Sequence, residues 1–377
     1  MGNSLRASLI ELFTRKIVTT KSDIVYTNDE DNLYPNRIEA IINNSPTASR
    51  CAKLMEKFIS GQGFEDPAQD IMINKSKNYR LSDIKNLAAK SISIHYGVYF
   101  QVFYGADFKI NKIDVLPNIK CRNSKEDANE NKGKIYFKDW TEKNKFGSKD
   151  KAQTFYPYNS NKDVILAQMK ADSPNAETME ELVAGSTGQV YYLNLTPEFH
   201  YSLSLVDSVY NDADTEYRLS LYVNKQMRTG FLDQTIVITQ GIDKELDELI
   251  NSQLKDLMGS DNAGNLMHIT VPQGTDIDLD KALVTKQIPS SFKPELLDKI
   301  STHLRKNIMG AFNNPPEEFI SGGSGALFGT SSDKYGELKA FYSEQTAFER
   351  EAIEKTLKMF GFNVKIKAIE SKSKEII

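Results

Sequence analysis

The chain has 377 residues, 40% hydrophobic and 26% charged, the balance of a globular protein long enough for one large domain or two to three modules around a sizeable core. Its formal net charge is −4, from 47 basic and 51 acidic residues. Tight non-specific DNA binding draws on a basic surplus that neutralises phosphates, so any DNA contact here must be local or weak.

No apolar stretch approaches the roughly 20 residues that cross a bilayer. The N-terminus MGNSLRASLIELFTRKIV lacks an uninterrupted apolar run and a cleavage box, and Arg6 stands where a myristoylation signal needs Ser or Thr. Cys51 and Cys121 make no metal or redox spacing; they read as two reduced, semi-buried thiols of a cytosolic product, with a single disulfide left open.

In chain order, residues 4–18 read as an amphipathic helix bearing Leu9, Ile10, Leu12, Phe13, Ile17 and Val18. A helix from about Arg37 carries Ile38, Ile41 and Ile42. Ser45 then caps a second helix with Pro46 in its first turn, which runs through Cys51, Leu54, Met55, Phe58 and Ile59 to Gly61. A third opens at Ser82 or Asp83 and ends at Gly97. VYFQVFYG and KINKIDVLP then pair as strands. Residues 122–163 are charged, with short aromatic strands such as Ile135–Phe137, and residues 170–187 read as a mobile acidic loop.

Thr196 and Pro197 are expected to open a long helix to Thr229, striped by Phe199, Leu203, Val206, Tyr210, Ala213, Tyr217 and Leu221. A small α/β module follows: a strand over 232–239, a helix from Asp243, a break near Gly259 and a strand over 266–271. A second long helix starts near Pro294 with Leu297, Ile300, Leu304, Ile308 and Phe312 at helical spacing. Asn313-Asn314-Pro315-Pro316 ends it, and the Gly/Ser-rich SGGSGALFGTSSD follows. A last helix over 334–360 uses Leu338, Phe341, Phe348, Ile353 and Leu357 as its apolar side, and Val364, Ile366 and Ala368 read as a strand.

Signals for chemistry are sparse. The histidines His95, His200, His268 and His303 stand alone, outside any ligand spacing. There is no nucleophile elbow, Cys–His signature or Walker motif. Gly323, Gly325 and Gly329 miss a dinucleotide fingerprint by one residue and follow a helix, not a strand. No catalytic residue, metal or cofactor is therefore assigned, and the chain reads as a non-enzyme. Asp207, Asp212, Asp214 and Glu216 suit a solvated helix face. The functional alternative is that, repeated around a ring, they would line a channel that repels phosphates.

The order of these pieces resembles the portal subunit of long-tailed phages, the HK97-like portal family. A long helix leads into a small α/β module and a second long helix returns, followed by a Pro-Pro break, a glycine-rich loop and another helix. Local passages are similar too: Tyr96-Gly97-Val98-Tyr99-Phe100 with Leu116-Pro117; Phe292 to Phe312 with Asn314-Pro315-Pro316-Glu317-Glu318-Phe319-Ile320; Leu327-Phe328-Gly329-Thr330 to Phe341, with Gln345 and Phe348; and Tyr34-Pro35-Asn36-Arg37 to Gly63, like the first wing helices. The resemblance covers most of residues 30–360. Residues 122–190 match no specific segment, and about 17 residues follow the last helix, so a helical crown is short or absent.

The resemblance implies an α+β portal-type subunit. It would have an N-terminal wing (1–195), a first stem helix (196–229), an α/β clip (230–287), a second stem helix (288–312), a tunnel loop (313–333) and a wing helix with C-terminal strand (334–377). It implies a ring of about twelve copies at one capsid vertex, through which double-stranded DNA passes non-specifically during packaging and ejection. The implied partners are the large terminase, the major capsid and scaffold proteins and the head-completion or adaptor proteins, with no membrane. The place is the virion, after assembly in the host cytoplasm.

Ser324, Leu327, Phe328, Thr330 and Ser331 are the expected channel contacts. Asp207, Asp212 and Asp214 of one copy would pair with Lys299, Arg305 and Lys306 of the next. Three other readings stand beside this one: another ring-forming head or connector component, a nuclease or nucleotidyl transferase of mobile elements, and a sequence-specific DNA-binding regulator. The missing metal and phosphate motifs count against the enzyme, and the acidic balance with no short helix-turn-helix unit against the regulator.

Overall fold

The computed structural model describes residues 24–125, 133–141, 152–229, 234–240, 266–271, 286–288, 294–321 and 332–369. The chain divides into two compact units, Met1–Asp214 with Arg305–Ile377, and Thr215–Leu304. The fold class is α+β.

In the first unit, helices α1 (Tyr34–Asn44), α2 (Pro46–Ser60) and α3 (Leu81–His95) follow one another, with a two-stranded ribbon, β1 (Met72–Asn74) and β2 (Tyr79–Arg80), between the last two. Ser45 Oγ accepts the Ala48 N–H at 3.1 Å to cap α2, and Gly61 closes it at φ +61°. The third helix opens with Asp83 accepting the Arg80 N–H at 2.8 Å. It closes on Tyr96 at φ +57°, one residue before the expected Gly97. Gly97 is needed for a different reason: a Cβ there would sit 2.5 Å from Ser202 Oγ.

A six-stranded sheet follows in the order β4-β3-β8-β7-β6-β5, built from β3 (Gly97–Tyr104), β4 (Ile110–Leu116), β5 (Cys121–Asn123), β6 (Ile135–Phe137), β7 (Gln153–Pro157) and β8 (Gln189–Asn194). β3 pairs antiparallel with β4 and β8, with Val102 opposite Ile113 and Phe100 opposite Tyr191. Only the β7–β8 pair is parallel. Side chains alternate across a strand. Val98, Phe100 and Val102 therefore enter the main core with Ile38, Met55, Ile84, Ile92, Ile353 and Leu357. Tyr99 faces the other way, into a second cluster with Leu116, Cys121, Ile135, Phe155 and Val190. Being covered on both faces is why β3 reads as an almost unbroken apolar run.

Three expectations need correction here. Residues 170–187 are not a mobile loop: α4 (Lys162–Asp172) and α5 (Met179–Gly185) bury Ile165, Met169 and Leu182 in the main core. The helix expected over 334–360 is two helices, and Phe341 and Phe348 are exposed instead of forming its inner side. The expected C-terminal strand is a single bridge between Ile366 and Phe64. Cys51 and Cys121 are both buried and not joined.

The second unit contains β9 (Gln234–Gln240), β10 (Leu266–Val271) and β11 (Lys286–Ile288). β10 runs parallel to β9, with His268 opposite Val237. β11 adds antiparallel on the other edge of β9, with Gln287 opposite Thr235, a strand not expected from the sequence. The helix expected from Asp243 and the one over 4–18 lie outside the described residues. Among the described residues no helix is long and apolar enough to cross a membrane.

Candidate channel and assembly elements

The first long helix is shorter than expected. Helix α6 spans Tyr210–Thr229, preceded by a 3-10 turn over Leu205–Val209, so Asp207 belongs to that turn. Residues 196–204 take another course because their side chains compete for the backbone. Thr196 Oγ1 accepts the Leu203 N–H at 2.9 Å. Ser202 Oγ donates to His95 O at 2.8 Å, and Ser204 Oγ donates to Ile94 O at 2.5 Å. Ser202 and Ser204 thereby satisfy the orphan carbonyls at the end of α3. The second long helix, α7 (Pro294–Ala311), follows expectation.

The apolar stripe of each long helix is covered at one end only. On α6, Ala213 is fully buried, whereas Leu221 and Tyr222 are 50% and 42% exposed. On α7, Leu304, Ile308 and Phe312 are buried, whereas Leu296 and Ile300 are 54% and 36% exposed. Several of the expected inter-subunit residues have partners within the chain: Asp212 Oδ2 accepts from Asn307 Nδ2 at 3.0 Å, Arg305 lies 4.0 Å from Glu317, and Asp207 and Asp214 are also engaged. Asp214 sits on α6, half-buried, while Lys299 and Lys306 are exposed on α7.

Beyond α7 the chain turns sharply. Asn313 and Asn314 take the left-handed conformation (φ +60° and +49°), which asparagine tolerates better than most residues, and Pro315 and Pro316 are buried. A short helix, α8 (Glu317–Ser321), lies inside the segment assigned to the tunnel loop. The expected channel residues Ser324, Leu327, Phe328, Thr330 and Ser331 lie outside the described residues. The chain continues as α9 (Ser332–Gln345) and α10 (Ala347–Met359).

Both ends of that segment are pinned. The Phe319 and Tyr335 rings meet edge to face at 5.2 Å, and Phe58 of α2 meets Tyr342 at 5.0 Å. Arg50 donates to Ile320 O at 3.0 Å, and Lys334 lies 4.0 Å from Glu318. Leu54, Phe58, Phe319, Tyr335 and Ile369 line a groove of about 450 Å³ beside this base, with Lys57 and Lys339 also contributing.

Deeper in, Tyr342 donates its hydroxyl to Phe312 O at 3.0 Å. Arg350 is 7% exposed and donates to Ser343 O at 2.6 Å and Phe58 O at 3.2 Å. Glu349 is 2% exposed. Its Oε1 accepts from Tyr96 at 3.2 Å and from Asn313 Nδ2 at 3.3 Å, while Oε2 is buried with no hydrogen-bond partner. Burial raises the Glu349 pKa, opposed by those two hydrogen bonds and by Arg350. Sequence reading missed this clamp. The available signal was that Arg350, Ile353 and Leu357 share one stripe of α10, a charge among apolar positions.

Among the described residues no group of three or more His, Cys, Asp or Glu side chains is placed to hold a metal ion.

No family model matches the chain, and no curated protein matches it in sequence. Solved structures do match in fold. A chain in the neck of an empty gene transfer agent (GTA) particle, computed with C6 symmetry, aligns at TM-score 0.55 and 11% identity over 91% of this chain and 86% of that one. A chain in the neck of a native GTA particle, computed with C12 symmetry, aligns at 0.53 and 12% over 90% and 86%. An HK97 family phage portal protein from Corynebacterium diphtheriae aligns at 0.47 and 10% over 87% and 95%. The chain shares its fold with the two GTA neck chains.

Proposed function

We propose that this chain is a portal: the subunit of a closed ring of about twelve copies at one vertex of a phage-like particle, through which double-stranded DNA is packaged and ejected without base recognition. In this reading the ring sits in the virion after assembling in the host cytoplasm. It contacts the major capsid and scaffold proteins, and the large terminase and then the head-completion proteins dock on residues 230–287. Residues 313–333 form the tunnel loop, with Leu327 and Phe328 touching DNA.

The observation that carries the proposal is the uncovered end of both apolar stripes. Leu221, Tyr222, Leu296 and Ile300 face solvent in the single chain. Covering four half-exposed side chains of this size contributes about 1 kcal/mol each. A closed ring repeats that gain at every contact with no free end. Between copies, pairs of Asp207, Asp212 or Asp214 with Lys299, Arg305 or Lys306 would exchange for contacts within the chain and add about 0–1 kcal/mol each. The fold shared with GTA neck chains over nine-tenths of the sequence supports the same reading.

Negative-stain images of the purified full chain are the test. Rings with a central hole are expected; a compact single-chain particle at high concentration sinks the proposal. A second reading, another ring-forming connector component, is favoured by the same likeness, because the matched chains are parts of a particle neck. Binding of the purified large terminase to the rings separates the two: a portal captures it, and another connector does not.

A further inference from the structure

Helix α2 carries Arg50, Lys53 and Lys57 at steps of three and four, which puts all three on one exposed face. Lys57 and Lys339 both line the groove that Phe319 and Tyr335 also border, and the Lys339 ammonium lies 4.5 Å from the centre of the Tyr335 ring. Arg50 reaches the same place through its hydrogen bond to Ile320 O. Three cations on α2 thus continue into a fourth on α9.

These cations differ from others around them in lacking a carboxylate. Lys334 lies 4.0 Å from Glu318, Lys355 3.6 Å from Glu351 and Lys365 2.9 Å from Glu65. None of Arg50, Lys53, Lys57 and Lys339 makes an ion pair among the described residues. Glu56, half-buried on the same helix, interacts first with Lys90 and then with Lys53. In a chain with more acidic than basic residues, a run of cations left without acids is a local site for an anion. Spacing narrows the anion. From Arg50 to Lys57 is roughly 10 Å of helix at about 1.5 Å per residue, and one strand of duplex DNA places a phosphate about every 3.4 Å of axis. Three cations therefore face about three consecutive phosphates. Position narrows it further: Phe319 and Ile320 belong to the segment that the portal reading puts beside passing DNA.

We propose that Arg50, Lys53, Lys57 and Lys339 form a phosphate-contact stripe that holds duplex DNA by its backbone. This inference rests on the portal reading and names a second DNA contact, on α2 and α9, beside the one expected at Leu327 and Phe328. So few contacts per subunit give weak binding that carries no base preference and lets the duplex slide, as a conducting ring requires.

The test follows fluorescence anisotropy of labelled duplexes of about 30 base pairs, in two unrelated sequences, with the purified full chain between about 50 and 200 mM salt. Wild type should bind both sequences alike. Lys53→Gln with Lys57→Gln and Lys339→Gln should weaken binding about tenfold or more at the lower salt, and flatten the slope of log affinity against log salt by about two to three. That variant leaves Arg50 on Ile320 O, and emission from buried Trp140 checks its folding. A control carrying Lys355→Gln, Lys358→Gln and Lys365→Gln loses the same charge elsewhere and should stay within about twofold of wild type. No duplex binding by wild type at the lower salt, an unchanged slope in the variant, or an equal loss in the control overturns the stripe and leaves the portal reading to the micrographs. Labelled polyglutamate bound as tightly as the duplex points to an acidic protein partner and also overturns it. A wild type that forms no rings, yet binds duplex through these lysines, keeps the stripe and overturns the portal reading.

Discussion

Glu349 fastens three elements through one carboxylate oxygen: the end of α3 through Tyr96, the turn after α7 through Asn313, and its own helix α10. Replacing it by alanine removes the acceptor of two part-buried hydrogen bonds, at about 1 kcal/mol each. It also leaves a small cavity, so the loss should reach about 2–3 kcal/mol. Glu349→Gln keeps an acceptor at the Oε1 position and removes a buried charge; it should stay within about 1 kcal/mol of wild type at neutral pH.

The two proteins part with pH. Because the folded pKa is raised above 4.5, this group's contribution is fully present below pH 4.5 and declines as pH climbs through the folded value. The glutamine variant lacks that decline, so it should gain on wild type as pH rises. Trp140 is the only tryptophan and is buried in the first unit, so urea unfolding followed by its emission reports that unit. Equal losses for the alanine and glutamine variants, or an unchanged pH dependence in the glutamine variant, would refute the assignment.

Three further outcomes follow from other sites. Lys85 is 2% exposed and donates to Ser60 O, and burial lowers its pKa from 10.5 to about 8. Wild-type stability should therefore rise by up to about 3 kcal/mol between pH 8 and 10.5 relative to Lys85→Met; parallel urea midpoints would contradict this. Gly97→Ala should cost about 1–3 kcal/mol, because its Cβ would lie 2.5 Å from Ser202 Oγ. Adding Ser202→Gly, which removes the obstructing atoms, should return part of that loss in thermal unfolding. Shortening residues 322–329 should leave rings intact in electron micrographs while particles package or retain less DNA; normal full particles would defeat the tunnel-loop assignment.

The legible parts of the fold are those where local chemistry and burial agree. Ser45 and Pro46 mark the start of α2 because the same residues cap the helix and leave its apolar stripe inward. The α6 start was misplaced because Thr196-Pro197 is a helix-opening pair, yet tertiary hydrogen bonds from Ser202 and Ser204 claim the following backbone. Residues 170–187 look like loop because polar residues outnumber apolar ones. Leu182 alone is buried on α5, and a seven-residue helix needs little more to anchor it.

Periodicity alone also misread the C-terminal helices, for a reason that bears on function. Phe341 and Phe348 are seven apart, as are Arg350 and Leu357, so α9 and α10 carry two competing stripes. Counting hydrophobicity selects the phenylalanines; satisfying polar groups selects the arginine. Arg350 reaches the Ser343 and Phe58 carbonyls only from inside, and Tyr342 reaches Phe312 O only from the same side. The buried hydrogen bonds therefore decide which stripe faces the core. The aromatic stripe left outside is therefore exposed, as Leu221, Tyr222, Leu296 and Ile300 are on the long helices. In the proposed ring, exposed aromatic side chains of this kind are the ones a neighbouring subunit would cover.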